Sequence, residues 1–97
     1  MSFHLVVSDR AQYSIKKAAD WFFEQTPGLE IKFLKELISA MDFIQKNPMK
    51  CQLRYRNVRI KFLKKFDFGI HYIIESNVVF VLAVFHTSQN ADDWFQD

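Results

Sequence analysis

The spacing of apolar residues along the first quarter of the chain predicts a strand followed by a helix. Residues 3–7 are apolar and rich in β-forming side chains, which is typical of a short strand. Residues 10–25 carry apolar side chains at helical spacing, and Pro27 ends this pattern. Asp9 is a suitable N-cap for the helix, with Gln12 in a capping-box-like position.

A second amphipathic helix is predicted over residues 29–46. Its apolar stripe again follows the helical period, and Asn47 and Pro48 end it. Because Pro27 and Gly28 form a short connection, the two helices are expected to make an αα-hairpin. The apolar stripes are expected to pack against a sheet.

The apolar period changes to two in residues 58–62. Apolar side chains at three positions alternate with Arg59 and Lys61, so one face of this predicted strand is apolar and the other is basic. Because the helices need an apolar surface to pack on, Arg59 and Lys61 are expected to project from the opposite, open side of the sheet.

Two further strands are predicted over residues 68–75 and 78–86, joined by a tight two-residue turn. The second is almost wholly apolar, which is typical of a central strand. The order β-α-α-β-β-β predicts one α+β domain over residues 1–97, with a helical hairpin on one face of a small, mostly antiparallel four-stranded sheet. A short C-terminal tail follows, in which Trp94 and Phe95 are expected to anchor the chain.

The charge distribution along the chain is uneven. The segment from Lys46 to Lys65 holds eight positive charges and no carboxylate, whereas the net charge of the protein is only +2. This asymmetry favours a phosphate-rich partner or an acidic protein segment, although a solvated basic face is the alternative.

Several classes of protein are disfavoured by composition. No stretch approaches the roughly 20 consecutive apolar residues of a membrane span, and the N-terminus lacks the features of a signal peptide, so a cytoplasmic protein without membrane contact is expected. The single cysteine, Cys51, excludes an internal disulfide, and the three histidines are not spaced like zinc ligands. We expect neither a metal nor a cofactor.

The chain resembles the RelE/ParE toxins of bacterial type II toxin-antitoxin systems, some of which are described as plasmid stabilisation proteins. The resemblance lies in the order and spacing of several short motifs over nearly the whole chain, namely Pro27-Gly28-Leu29, Ile44-Gln45-Lys46-Asn47-Pro48, Tyr55-Arg56-Asn57-Val58-Arg59, Phe66-Asp67-Phe68-Gly69-Ile70-His71-Tyr72 and Val81-Leu82-Ala83-Val84-Phe85-His86. It implies a growth-inhibiting toxin that a cognate antitoxin holds inactive.

The resemblance leaves two mechanisms open, since one fold hosts both. RelE-like members are endoribonucleases that cleave mRNA on the ribosome without a metal. ParE-like members bind and poison DNA gyrase, which requires a protein-binding surface, expected on the helical hairpin and the tail. A degenerate toxin fold that retains only binding is the third alternative.

Metal-free RNA cleavage requires a base, an acid and cations at the phosphate. Arg59 matches an arginine found on this strand in many family members, Lys61 is expected to assist it, and His86 resembles a proton-transfer position of several nucleases. The candidate substrate-binding residues are Arg54, Arg56, Lys65, His71 and Tyr72. Tyr72 also has the parity of a core residue, and His71 does not match the family motif. The acidic tail, which lacks the expected basic residue, disfavours the nuclease.

Overall fold

The computed structural model describes residues 3–88 and contains two long helices and five strands. Trp94 and Phe95, expected to anchor the tail, lie outside the described residues. The elements in chain order are β1 (His4–Val7), α1 (Asp9–Gln25), α2 (Leu29–Lys46), a single 3₁₀ turn (Pro48–Lys50), β2 (Leu53–Tyr55), β3 (Val58–Phe62), β4 (Phe68–Glu75) and β5 (Val78–His86).

The helical hairpin forms as the sequence predicts, but the first cap differs. Ser8, not Asp9, is the N-cap of α1, and its Oγ accepts a 3.0 Å hydrogen bond from the backbone N–H of Ala11. Gln12 donates instead to the carbonyl of Val7 at 3.0 Å. Gly28 precedes α2 with φ of 99°, a left-handed conformation that glycine adopts without steric cost.

The five strands form one mixed sheet in the order β1-β5-β4-β3-β2. β1 runs parallel to β5 and the other neighbours are antiparallel, which confirms the predicted α+β class and the mostly antiparallel sheet. The sheet has five strands where four were predicted. The additional strand, β2, is only three residues long and lies at an edge, so it is too short to show a periodic pattern.

The core lies between the hairpin and one face of the sheet. Four phenylalanine rings meet at its centre with centroids 4.9–5.7 Å apart, and they belong to Phe22, Phe33, Phe66 and Phe68. Ile70 and Tyr72 of β4 are fully buried in the same cluster. The sequence-based interpretation of Tyr72 as having the parity of a core residue is therefore confirmed.

A β-bulge at Leu82 changes which side chains of β5 face the helices. His71 pairs with Ala83 and Tyr72 pairs with Val81, so Leu82 has no partner on β4. The hydroxyl of Ser8 donates to the carbonyl of Leu82 at 3.1 Å, which satisfies a backbone group at the bulge. Beyond it the parity switches, and residues 84 and 86 lie on the helix side.

Among residues 3–88, neither helix combines the length and the apolar composition needed to cross a membrane.

Candidate functional site

The two basic side chains of β3 lie on the helix side of the sheet. Arg59 is directly opposite Tyr72, and Lys61 is directly opposite Ile70, and both of these β4 residues belong to the helix-covered core. The expectation that Arg59 and Lys61 project from the open side is therefore wrong. α1 packs on β5, which lies towards the other edge of the sheet. The helix-side face of β3 therefore has room for the long side chains of Arg59 and Lys61.

Arg59 fastens the segment that follows α2. Its Nη1 donates hydrogen bonds to the carbonyl oxygens of Cys51, at 2.5 Å, and Met49, at 3.3 Å. The hydroxyl of Tyr72 donates to the carbonyl of Pro48 at 2.6 Å, from a fully buried ring. Burial raises the pKa of Tyr72, and the nearby Cys51 thiol raises it further. Both side chains thus hold residues 48–51 against the sheet.

Lys61 lies over an aromatic ring of α2. Its Nζ is 4.4 Å from the centroid of Phe43, a cation-π distance. The side chain is half-buried, so its aliphatic stem covers the rim of the core while the ammonium group remains near solvent.

His86 lies at the opposite end of the helix-side face. Its ring packs edge-on against Phe68 with centroids 5.3 Å apart. Nδ1 accepts a hydrogen bond from the backbone N–H of Ser88 at 3.1 Å and lies 2.7 Å from the Ser88 hydroxyl. Since a backbone N–H can only donate, the neutral ring carries its proton on Nε2.

Arg59 and His86 are far apart. They flank β4 on either side, opposite Tyr72 and Phe68, which are four residues apart on that strand. Strand geometry places their Cα atoms roughly 16 Å apart, with the side chain of Ile70 in the filled core between them. The three predicted catalytic residues are therefore not brought together around one point.

The sheet face away from the helices holds a pair formed by the half-buried Tyr55 and the buried His71. The Tyr55 hydroxyl is 3.0 Å from Nδ1 of His71, whose side chain is only 3% exposed. Burial lowers the pKa of His71 to about 4, so the imidazole is neutral at pH 7. Burial also raises the pKa of Tyr55, against the opposing charges of Arg56 and Arg10.

A small, mostly apolar cavity of about 240 Å³ adjoins this pair. It is lined by Ser8, Arg10, Tyr55, His71, Leu82, Ala83 and Phe85. The parity of β4 placed His71 on this face, but Tyr55 and Arg10 were not identified from the sequence. Their proximity depends on strand register and on the start of α1, which the sequence pattern does not show.

The remaining predicted binding residues are dispersed. Arg54 lies over the ring of Phe62 at 5.2 Å, and Arg56 occupies the β2–β3 turn with φ of 49°. Lys65 lies in the β3–β4 connection, where its backbone N–H donates to Glu36. Within residues 3–88, no group of three or more His, Cys, Asp and Glu side chains is arranged to hold a metal ion.

A protein-family model described as "ParE toxin of type II toxin-antitoxin system, parDE" matches residues 5–91. The chain belongs to this ParE toxin family. No curated protein sequence is significantly similar to it.

Two solved structures share the fold of this ParE-family chain. A chain of the chromosomal ParDE toxin-antitoxin system of P. aeruginosa superposes with a TM-score of 0.79 at 13% sequence identity, covering 88% of this chain and 96% of that one. A chain of the RelBE2 toxin-antitoxin complex of Mycobacterium tuberculosis superposes with a TM-score of 0.63 at 15% sequence identity, covering 89% of this chain and 99% of that one. The predicted RelE/ParE membership is confirmed.

The hairpin of this ParE-family chain exposes large apolar side chains. On α2, Ile31 and Ile38 are 52% and 67% exposed, and their separation of seven residues places them on one side of the helix. On α1, Tyr13 and Trp21 are 67% and 54% exposed. Large exposed apolar side chains are typical of surfaces that bind other proteins.

Proposed function

We propose that this protein is the toxin of a toxin-antitoxin pair, that a cognate antitoxin protein holds it inactive, and that it inhibits growth in the cytoplasm by poisoning DNA gyrase. The observation that carries the choice of mechanism is the position of Arg59. Its guanidinium binds backbone carbonyls on the helix side, and strand geometry places the Cα atoms of Arg59 and His86 roughly 16 Å apart. Metal-free RNA cleavage requires such groups at a single phosphate.

The open face of the sheet also supports a target other than RNA. Around His71, the described part of this face presents the apolar side chains of Ile60, Phe62 and Phe85. The guanidinium groups of Arg54 and Arg10 lie over the rings of Phe62 and Phe85. His71 itself is buried and neutral at pH 7, so it contributes no positive charge to a phosphate there. The apolar side chains and the neutral imidazole favour a toxin that acts through protein contacts.

The comparisons support the toxin assignment, the antitoxin partner and the choice of a ParE-like mechanism. The family match spans most of the chain, and the TM-score is higher for the ParDE structure than for the RelBE2 structure. Both structures come from toxin-antitoxin systems, which supports a cognate antitoxin as a partner of this chain. Ile31 and Ile38 of α2 are the part of the hairpin that we assign to target binding.

The experiment is a pair of assays on the purified full-length protein. DNA supercoiling and cleavage-complex formation by gyrase are measured in parallel with primer extension on an mRNA in a reconstituted translation reaction. We expect inhibited supercoiling, accumulation of cleaved DNA and an intact message. Ribosome-dependent cuts in the mRNA would show that the protein is an endoribonuclease and would overturn the gyrase mechanism. Inactivity in both assays would favour a toxin fold that retains only binding.

Two variants test the surface assigned to target binding. Ile38→Asp places a charge in the exposed apolar stripe and is expected to abolish gyrase inhibition without unfolding the protein. Ser39→Asp adds the same charge at the next exposed position of α2, which is turned about 100° away, and is expected to remain active. Equal activity of the two variants would remove Ile38 from the target surface.

A further inference from the structure

An aromatic cavity of about 370 Å³ lies where the C-terminal half of α1 meets the start of β4 and the end of β5. No step of the proposed function uses it. Most of the residues that line it carry aromatic rings, namely Trp21, Phe22, Phe66, Phe68 and His86. The wall of this cavity is therefore mainly π-surface.

The rings of the aromatic cavity differ in their exposure to solvent. Phe22 is buried, and the centroid of its ring lies 5.1 Å from that of Phe66 and 5.7 Å from that of Phe68, so these three rings form the floor. Trp21 and His86 are exposed and lie at the mouth. A flat ring that enters this cavity meets aromatic side chains on several sides, against which it packs by stacking or edge-on.

A lysine-rich groove of about 720 Å³ adjoins the aromatic cavity, because Lys65 and Phe66 line both. The groove lies between α2 and the connection from β3 to β4. The lysines that line it are Lys32, Lys35, Lys61, Lys64 and Lys65. One ligand can therefore reach an aromatic surface and a cluster of ammonium groups at the same time.

Few carboxylates lie among these ammonium groups. In the described part of the chain, Glu36 is the only acidic residue that lines the groove, and it accepts hydrogen bonds from the backbone N–H groups of Lys64 and Lys65. Asp67 is the only acidic residue among the described ones that line the aromatic cavity. Within residues 3–88, none of the five lysines forms a salt bridge. The groove thus keeps a positive charge that attracts a polyanionic group.

A molecule with a flat ring at one end and several negative charges at the other would occupy both surfaces, and a nucleoside polyphosphate has this arrangement. Every nucleobase has a π-face that stacks on aromatic side chains, and lysine binds phosphate as a point charge. An RNA strand spreads its charge evenly along the chain, whereas a polyphosphate concentrates its charge beside a single base. An aromatic cavity next to a cluster of lysines fits the polyphosphate better.

We propose that this protein binds a nucleoside polyphosphate, with the base in the aromatic cavity and the phosphates on the lysines of the adjoining groove. Trp21 stacks on the base, and Lys65, which lines both surfaces, holds the phosphate nearest to the base. The ligand binds without chemical change. The proposal goes beyond the proposed function and holds whether the toxin acts on gyrase or on mRNA, because binding is a property of the protein alone.

The test is isothermal titration calorimetry on the purified full-length protein, with ATP, GTP, adenosine and inorganic tripolyphosphate as separate probes. We expect the two nucleotides to bind most tightly, because they alone carry both a base and a polyphosphate, and we expect raised salt to weaken their binding. Absence of binding by both nucleotides at millimolar concentration overturns the proposal. Equally tight binding of tripolyphosphate also overturns it, because the lysines would then attract charge alone.

A short oligoadenylate distinguishes a free nucleotide from RNA. It offers the same base as ATP, with its phosphates distributed along the strand. We expect it to bind more weakly than ATP. Tighter binding of the oligoadenylate would assign the two surfaces to RNA and would overturn the assignment to a free nucleotide.

Matched variants of two exposed rings on α1 locate the base. Trp21→Ala is expected to weaken ATP binding about tenfold, which is the scale of one base stacked on one aromatic side chain. Tyr13→Ala removes an exposed ring about two helical turns away, outside the cavity, and is expected to bind ATP as the wild type does. Urea unfolding verifies that both variants are folded. Equal losses of ATP binding in the two variants would contradict the position of the base.

Matched variants of two exposed lysines locate the phosphates. Lys65→Gln is expected to weaken the binding of ATP and of tripolyphosphate several-fold and to leave the binding of adenosine unchanged. Lys17→Gln makes the same change of charge on α1, outside both surfaces, and is expected to bind all the probes nearly as the wild type does. Equal effects of the two substitutions on ATP binding would contradict the assignment of the phosphates to the lysine-rich groove.

Discussion

The hydroxyl of Tyr55 lies 3.0 Å from Nδ1 of His71, on the sheet face opposite the helices. The pair joins β2 to β4 across β3, because Tyr55 pairs with Val58 and His71 pairs with Ile60. This contact ties the short edge strand β2 to the centre of the sheet. It also buries an imidazole that must remain neutral in the folded protein.

The first prediction concerns the pH dependence of stability. The folded pKa of His71 is about 4, below its ordinary value of 6.5, so between these values the unfolded chain binds a proton that the folded chain does not. The free energy of unfolding is therefore expected to fall as the pH falls from 6.5 to 4, by up to about 3 kcal/mol from this group. Urea unfolding at several pH values measures it.

The control for this prediction is His71→Leu, which removes the titrating group and keeps the site apolar. The free energy of unfolding of this variant should fall less than that of the wild type over the same pH interval, because the titrating imidazole of His71 is absent. Parallel pH profiles of the two proteins would show that His71 does not govern acid stability.

The second prediction concerns Arg59. An arginine exposed on a strand would contribute little to stability, but this guanidinium is half-buried and binds the carbonyls of Met49 and Cys51. We expect Arg59→Ala to lower the free energy of unfolding by about 1–3 kcal/mol and to leave gyrase inhibition intact where the protein is folded. Arg54→Ala, at an exposed position, is the control and should change stability by less. Equal losses of stability in Arg59→Ala and Arg54→Ala, measured by urea unfolding, would argue against a role of Arg59 in holding residues 48–51.

The sequence predicted the long elements well because each contains several periods of its pattern. Both helices and the strands Phe68–Glu75 and Val78–His86 were placed within a residue or two. The prediction of which face of β3 points to the helices was wrong for a physical reason. Alternation shows that a strand has two faces, but it does not show which face the helices cover. Here Ile60 and Phe62 of β3 pack over Gly69 on the open side.

The candidate site was harder to predict because it depends on register between strands. β5 is apolar at nearly every position, so the sequence gives no sign of the bulge at Leu82 that turns His86 towards the helix side. The Tyr55–His71 pair likewise depends on the pairing of three strands. The sequence therefore pointed to His71, but it identified neither Tyr55 as its partner nor the arrangement of these residues in space.

The third prediction concerns the buried hydroxyl of Tyr72, which donates to the carbonyl of Pro48. Tyr72→Phe keeps the ring in the core and removes the hydroxyl, with its hydrogen bond to Pro48 and its interaction with the Cys51 side chain, so we expect a loss of about 1–2 kcal/mol in the free energy of unfolding. Because Arg59 and Tyr72 hold the same segment, the double variant Tyr72→Phe/Arg59→Ala should lose less than the sum of the single losses. Strict additivity in urea unfolding would indicate that the two side chains act independently.

The fourth prediction concerns Gly69, whose missing side chain makes room for Ile60. A Cβ at Gly69 would lie 2.7 Å from Cγ2 of Ile60, closer than van der Waals contact allows, and the β-branched isoleucine cannot readily turn away. Gly69→Ala is therefore expected to destabilise the protein by about 1–3 kcal/mol in urea unfolding. Ile60→Ala removes Cγ2 and should recover part of this loss in the double variant. Ile60→Val retains Cγ2, so it should not recover stability in the Gly69→Ala background. Equal recovery by Ile60→Ala and Ile60→Val would contradict the steric explanation.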